Sequence, residues 1–255
     1  MSQVLKDKVA IITGASRGLG KAFALRFADE GAKLLLTTTS LERAEATEKE
    51  IKARGGEVTF VKADISVASD TRKIAETVME KYGRADILVN NAAIWFGIRA
   101  KPWHLWTEEE WDRIFDVNVK GTWMVCKAIA PLMMEQKKGK IINIASNVAR
   151  VPGAPFFMPY SCGKGALYTM THALAHALGP SNINVNAIGP GLTATEASLD
   201  MSGPDKSFKT ATSGQSIPRR EEPEDLVGLA LFLASADSDF ISGQVIYVDG
   251  GTVML

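Results

Sequence analysis

Little in this sequence is concentrated. Of its 255 residues, two are cysteines, Cys126 and Cys162, and three are histidines. Two thiols are too few for a disulfide framework or a thiolate metal cluster, so both read as helix-packing residues. His172 and His176 have the four-residue spacing of a helical metal site, but no carboxylate or cysteine accompanies them and His104 is far off, so no metal is expected. Acidic and basic side chains number 29 each, for a formal net charge of +0, and they are scattered singly or in pairs. A nucleic-acid or anionic-membrane surface needs clustered Lys and Arg, so neither partner is expected. No apolar run approaches the roughly 20 residues of a membrane span. The stretch Met1-Ser-Gln-Val-Leu-Lys-Asp-Lys8 has no basic segment followed by an apolar one and does not read as a secretory leader. These absences lead us to expect a cytoplasmic protein of a reducing compartment.

What is present is a repeating alternation of short apolar runs and longer amphipathic stretches. Hydrophobic residues make up 46% of the chain, enough to bury a full core. Val9–Thr13, Lys33–Thr37, Val58–Val61, Ile87–Asn90, Lys140–Ile144, Ile183–Ala187 and Val245–Val248 read as strands. Helices are expected from the glycine-rich turn to about Glu30, over about 41–54, 68–82, 107–118, 120–136 and 159–178, and from about Glu222 to Ala234. Strands without polar alternation are buried on both faces, which predicts a mostly parallel seven-stranded sheet with helices on both sides. The fold class is α/β, one doubly wound Rossmann-type domain over residues 1–255. Residues 192–220, rich in Ser, Thr, Gly and Pro, lack clear periodicity and read as a substrate-covering loop.

Polar and turn-forming residues collect where these strands end. The first strand runs into Thr13-Gly14-Ala-Ser16-Arg17-Gly18-Leu19-Gly20, whose glycines permit a tight turn and whose following helix N-terminus favours a phosphate. The second ends in Thr37-Thr38-Thr39-Ser40 without the carboxylate that would bind ribose hydroxyls and repel a 2′-phosphate. With Arg17 able to pair with that phosphate, NADP is favoured over NAD; the alternative is that Arg17 is a solvated loop residue. Ser146 follows the fifth strand, and Tyr160 and Lys164 stand one helical turn apart, so phenol and ammonium share a face. A nearby cation lowers a phenol pKa from its ordinary value of about 10.

In order and spacing, Thr13-Gly14-x-x-x-Gly18-x-Gly20, Asp64, Asn90-Asn91-Ala92, Asn118, Ser146, Tyr160-x-x-x-Lys164, Pro190-Gly191 and Val248-Asp-Gly-Gly251 resemble the short-chain dehydrogenases/reductases over nearly the whole chain. The resemblance implies Tyr160 as general acid/base, Ser146 as hydrogen-bond donor to the substrate oxygen, Lys164 as pKa tuner and ribose ligand, and Asn118 as holder of a relay water. It implies cofactor contacts from Gly14, Ser16, Arg17, Gly18, Leu19, Gly20, Thr38, Thr39, Asp64, Ile65, Asn91, Ala92, Tyr160, Lys164, Pro190, Gly191, Thr193 and Thr195. It also implies a homotetramer. The sequence departs from the family's pattern at Ala93, where glycine is usual, and at Thr193, where an aliphatic residue is usual.

Trp95, Phe96, Asn147, Phe156, Phe157 and Leu192 are the expected substrate pocket, with core packing the competing reading for the aromatics. Trp103, Trp106 and Trp111 read as core. The function these readings favour is NADP-dependent interconversion of a ketone and a secondary alcohol with a bulky apolar or aryl small-molecule substrate. A 3-oxoacyl carrier-protein reductase and an NADP-sensing module without turnover are the alternatives.

Overall fold

The computed structural model describes residues 3–95, 97–151, 153–200 and 203–254, and among them seven strands and nine α-helices follow one another along the chain. The first half comprises β1 (Val9–Ile12), α1 (Gly18–Asp29), β2 (Lys33–Thr38), α2 (Leu41–Ala53), β3 (Val58–Lys62), α3 (Ala68–Tyr82) and β4 (Ile87–Asn90). The second comprises α4 (Glu108–Phe115), α5 (Thr122–Gln136), β5 (Gly139–Ile144), α6 (Met158–Leu178), β6 (Ile183–Pro190), α7 (Glu196–Leu199), α8 (Pro204–Ser213), α9 (Glu224–Ala234) and β7 (Val245–Val248). The sheet order is β3-β2-β1-β4-β5-β6-β7 and every pairing is parallel. Among the described residues, no helix is long and apolar enough to cross a membrane.

Strand alternation divides the core between the two sheet faces. Ala10 and Ile12 of β1 join Leu34, Leu36, Phe23, Phe27, Leu226 and Leu233 on the face covered by α1 and α9. Val9 and Ile11 join Leu35, Leu88, Ile74, Ile129 and Met133 on the face covered by α3 and α5. Covering both faces explains why most of the strands lack polar alternation; β6 alternates at Asn184 and Asn186, which bond the Ile241 carbonyl.

Several local expectations are corrected. The two helices expected over 107–118 and 120–136 are one continuous helical run, joined by a π-helical turn over Asp116–Gly121. The stretch 192–220 is not wholly irregular. Thr195 and Ser198 form a reciprocal cap that starts α7, and α8 begins at Pro204 after Gly203 in the left-handed region (φ 68). Trp103 is 64% exposed rather than core, and Cys162 is exposed while Cys126 is buried.

Phe23 is fully buried between α1 and the sheet. Phe23→Ala removes that contact and leaves a cavity, so it should cost about 3–5 kcal/mol of unfolding free energy. Urea denaturation of wild type and variant, compared at constant slope, measures it.

Candidate active site

The strand order reverses between β1 and β4, and a crevice opens beyond the carboxyl ends of the strands there, as the topology of an open parallel sheet requires. Its volume is about 1400 Å³. The glycine turn forms one end. Gly14 has φ +66, and a Cβ on it would fall 2.8 Å from the Cα of Ala92, so the close approach of this turn to the β4 end needs glycine. Asn91 donates its side-chain amide to the carbonyls of Thr13 and Gly14 (2.9 and 3.0 Å), while the Thr13 hydroxyl accepts the N–H groups of Asn91 and Ala92, both at 3.0 Å. Thr47 donates to the Ser16 carbonyl (3.0 Å) and fixes the turn from α2.

Gly14, Ser16, Arg17, Gly18 and Leu19 line the crevice; Gly20 does not. A Cβ on Gly20 would lie 2.5 Å from both the Gly14 carbonyl oxygen and the Asn91 amide nitrogen, so its place is in the packing of α1 behind the turn. The second-strand end is also corrected. Thr37 and Thr39 line the crevice, whereas Thr38 faces away and bonds Ser40, donating to its carbonyl (2.9 Å) and accepting its N–H (3.1 Å). Arg43, in the first turn of α2, lines the crevice close in sequence to these threonines and was missed by reading the strand end alone. Asp64 and Ile65 line the same end, with the Asp64 carboxylate accepting the N–H and hydroxyl of Ser66 (2.9 and 2.7 Å).

Ser146, Tyr160 and Lys164 meet at the other end. The Ser146 hydroxyl accepts the Val148 N–H (3.2 Å) and lies 3.5 Å from the Pro190 carbonyl; Tyr168 donates its hydroxyl to the Ser146 carbonyl. Lys164 is 3% exposed, with its Nζ donating to the Ile144 carbonyl (2.6 Å) and standing 5.6 Å from the Tyr160 ring centroid. Loss of water pushes the Lys164 pKa down to about 8. Trp95, with its ring centroid 4.8 Å from that of Tyr160 and 5.4 Å from that of Phe157, walls off the phenol. Burial pushes the Tyr160 pKa up, reversing the direction expected from a neighbouring lysine. Desolvation decides the direction, and Lys164, with a pKa of about 8, is already neutral at the higher pH where the phenol would ionise.

Asn118 stands behind the crevice wall. Its amide accepts the Ile94 N–H (2.7 Å) and donates to the Ile94 carbonyl (3.2 Å), and its own carbonyl accepts the Thr122 hydroxyl (3.0 Å) across the π turn. These bonds fix the backbone that carries Trp95. Ala92, Trp95, Asn147, Phe157, Pro190, Gly191, Leu192, Thr193 and Thr195 all line the crevice. Phe156 does not and is 53% exposed; Phe96 lies outside the described residues.

Two carboxylates had no sequence signal. Glu196, next to Thr195, reaches across the crevice and accepts the Gly18 N–H on Oε2 (3.1 Å). Glu221 is buried behind Gly191 and Thr193, with a pKa that desolvation raises to about 7. Among the described residues, no group of three or more His, Cys, Asp or Glu is placed to hold a metal.

The donor set fits a dinucleotide. The Gly18 N–H at the start of α1 is taken by a carboxylate oxygen, which stands in for an anionic phosphate oxygen at that point.

Residues 14–253 match the family described as "Enoyl-(Acyl carrier protein) reductase". The chain is similar to the 3-oxoacyl-[acyl-carrier-protein] reductase FabG of Thermotoga maritima, 37% identical over 98% of this chain and 99% of that one. It is also similar to the (2S)-[(R)-hydroxy(phenyl)methyl]succinyl-CoA dehydrogenase subunit BbsD of Thauera aromatica, 39% identical over 97% of each. Among solved structures, the 3-ketoacyl-(acyl-carrier-protein) reductase of Brucella melitensis complexed with NADH superimposes with a TM-score of 0.90 at 33% identity, covering 98% of this chain and 100% of that one. With the all-parallel sheet, the glycine turn and the Ser146, Tyr160 and Lys164 cluster, these likenesses place the chain in the short-chain dehydrogenase/reductase family, as an oxidoreductase.

Proposed function

We propose that this enzyme interconverts a ketone and a secondary alcohol with NADP, on a bulky apolar or aryl substrate. The observation that carries the reading is the convergence of the Ser146 hydroxyl, the Tyr160 phenol and the Lys164 ammonium on one crevice with the anion-binding glycine turn. A nicotinamide cofactor, when bound, gives or takes the hydride and in its oxidised form brings a positive charge.

The chain's own groups handle position and protons. Ser146, oriented by the Val148 N–H, donates to the carbonyl oxygen. Tyr160 delivers its proton to that oxygen in reduction and removes it in oxidation. High phenol pKa suits the donor direction, and Lys164, titrating near 8, gives and regains a proton beside it at physiological pH. Trp95 and Phe157 exclude water and offer an aromatic wall, with Leu192, Val148 and Val151 completing an apolar lining. This wall supports an aryl or bulky apolar substrate. The relative from Thauera aromatica, whose name records a phenyl group, points the same way.

NADP over NAD rests on the adenosine end of the crevice, where Thr37 and Thr39 offer no carboxylate and Arg17 and Arg43 both line the wall. Arg43 is exposed at the start of α2, placed to meet a 2′-phosphate with a charge-assisted contact. The segment bearing α7 and α8 covers the crevice: Thr195, Glu196, Lys206, Ser207 and Thr210 all line it. The exposed Trp123 and Met134 of α5, and Phe240 ahead of β7, are apolar surfaces consistent with a homotetramer. The second reading, a 3-oxoacyl carrier-protein reductase, is favoured by the Thermotoga maritima relative. Turnover of an acyl thioester against an aryl ketone separates the two.

Tyr160→Phe should lower kcat for ketone reduction by about 10³-fold, within the range for loss of a general acid, and leave cofactor affinity within about twofold. Near-normal turnover in that variant contradicts the assignment. Arg43→Ala should raise KM for NADPH about tenfold by removing a charge-assisted contact, with KM for NADH unchanged. Paired initial-rate measurements with the two cofactors read it.

A further inference from the structure

Glu221 lies between α8 and α9 and is 5% exposed. It does not line the crevice, but its carboxylate holds two residues that do. Oε2 accepts the Gly191 N–H (3.0 Å) and Oε1 accepts the Thr193 hydroxyl (2.5 Å). A Cβ on Gly191 would sit 2.7 Å from Oε2, so the carboxylate occupies the space a side chain there would need. The Glu221 backbone adds a bridge to Thr193 and accepts the Ala194 N–H (2.8 Å). One residue thus ties down the segment that leaves β6.

The charges around it do not neutralise it. Asp249 follows β7 and Asp225 opens α9, both carboxylates. Arg219 is committed to Asp225 through two bonds of 2.6 Å, and Arg220 lies over the Phe208 ring and 3.8 Å from Asp205. Desolvation, followed by repulsion from Asp249 and Asp225 and opposed by the Thr193 and Gly191 hydrogen bonds, brings Glu221 to a pKa of about 7.

We propose that Glu221 is a positioning residue which, once ionised, favours the oxidised over the reduced nicotinamide cofactor in the crevice. This rests on the cofactor reading above. The oxidised nicotinamide ring carries a positive charge and the reduced ring does not. A buried carboxylate just behind the wall stabilises the charged ring through a medium that screens poorly. When protonated, Glu221 donates from Oε1 to the Thr193 oxygen while Oε2 keeps the Gly191 N–H, so the geometry stays and the charge goes. Glu221→Gln reproduces that state, with its amide oxygen on Gly191 and its N–H on Thr193.

Dissociation constants of NADP⁺ and NADPH, measured by calorimetry from pH 5.5 to 8.5 on wild type and Glu221→Gln, test the proposal. In wild type, the preference for NADP⁺ should grow about tenfold through a step centred near neutral pH, and in Glu221→Gln that step should be absent, leaving only the rise near pH 8 that discharge of Lys164 gives to both proteins. Melting temperature gives a second readout. Because the folded-state pKa is raised, the folded protein binds this proton more tightly than the unfolded chain, and ionisation lowers stability. Wild type should therefore lose melting temperature relative to Glu221→Gln between about pH 5 and 8. The same pH slope in both proteins, or no slope in wild type, overturns the proposal and leaves the cofactor reading standing. Failure of wild type to bind either cofactor form overturns the cofactor reading itself. Where Glu221→Gln does not fold, Thr193→Val decides: loss of a bond that favours the carboxylate should move the midpoint to higher pH, and an unmoved midpoint overturns the proposal.

Discussion

Burial of Lys164 against the end of β5 is the constraint around which the rest of the site is arranged. Its ammonium is held by the Ile144 carbonyl and is nearly stripped of water, so it gives up its proton near pH 8. Tyr160, one helical turn earlier, is walled by Trp95 and pushed the other way, towards the neutral phenol. Both groups are least costly when uncharged. A charge arriving in the crevice therefore has large leverage over their protons, because little water is present to screen it. This arrangement suits an acid/base pair better than a site that only binds.

The parallel sheet makes that arrangement possible. Four strand ends, those of β1, β4, β5 and β6, deliver polar groups to one crevice; the bodies of β1 and β4 are apolar ahead of those ends, while β5 and β6 bury Asn143 and Asn186 with their hydrogen bonds made. The glycine turn, the Asn91 amide and the Thr13 hydroxyl form one interlocked unit at the first two ends. Asn118, through Ile94, sets the backbone beneath Trp95. At β6 the anchor is the buried Glu221. Across the mouth, Glu196 meets the Gly18 N–H and links α7 to the turn.

The strands were legible because double-sided burial leaves mostly apolar runs, even where Lys140 and Asn143 interrupt β5 and Asn184 and Asn186 interrupt β6. The residues that meet in the crevice were legible where they sit at strand ends or one helical turn apart, as Ser146, Tyr160 and Lys164 do. Thr38 was misassigned because side chains alternate along a strand: Thr37 and Thr39 share the crevice face and Thr38 takes the other. Phe156 and Phe157 are adjacent in a 3₁₀ turn, roughly a third of a turn apart, so only one faces inward. The helices α7 and α8 escaped notice because α7 is a single four-residue turn set by its Thr195 and Ser198 cap, and α8 is a short polar helix that buries Phe208. Glu221 carried no signal at all, since its partners Gly191 and Thr193 lie 30 and 28 residues away. The direction of the Tyr160 shift needed the packing of Trp95, which spacing cannot supply.

The central claim is that Tyr160 is a desolvated proton donor whose ionisation waits on charge in the crevice. Phenolate absorbance, taken as the difference between wild type and Tyr160→Phe across a pH titration with and without NADP⁺, tests it directly. The account predicts no Tyr160 phenolate at the ordinary tyrosine value of about 10 in the protein alone, and its appearance at distinctly lower pH once NADP⁺ is bound. A phenol that titrates at about 10 and is indifferent to NADP⁺ would contradict it.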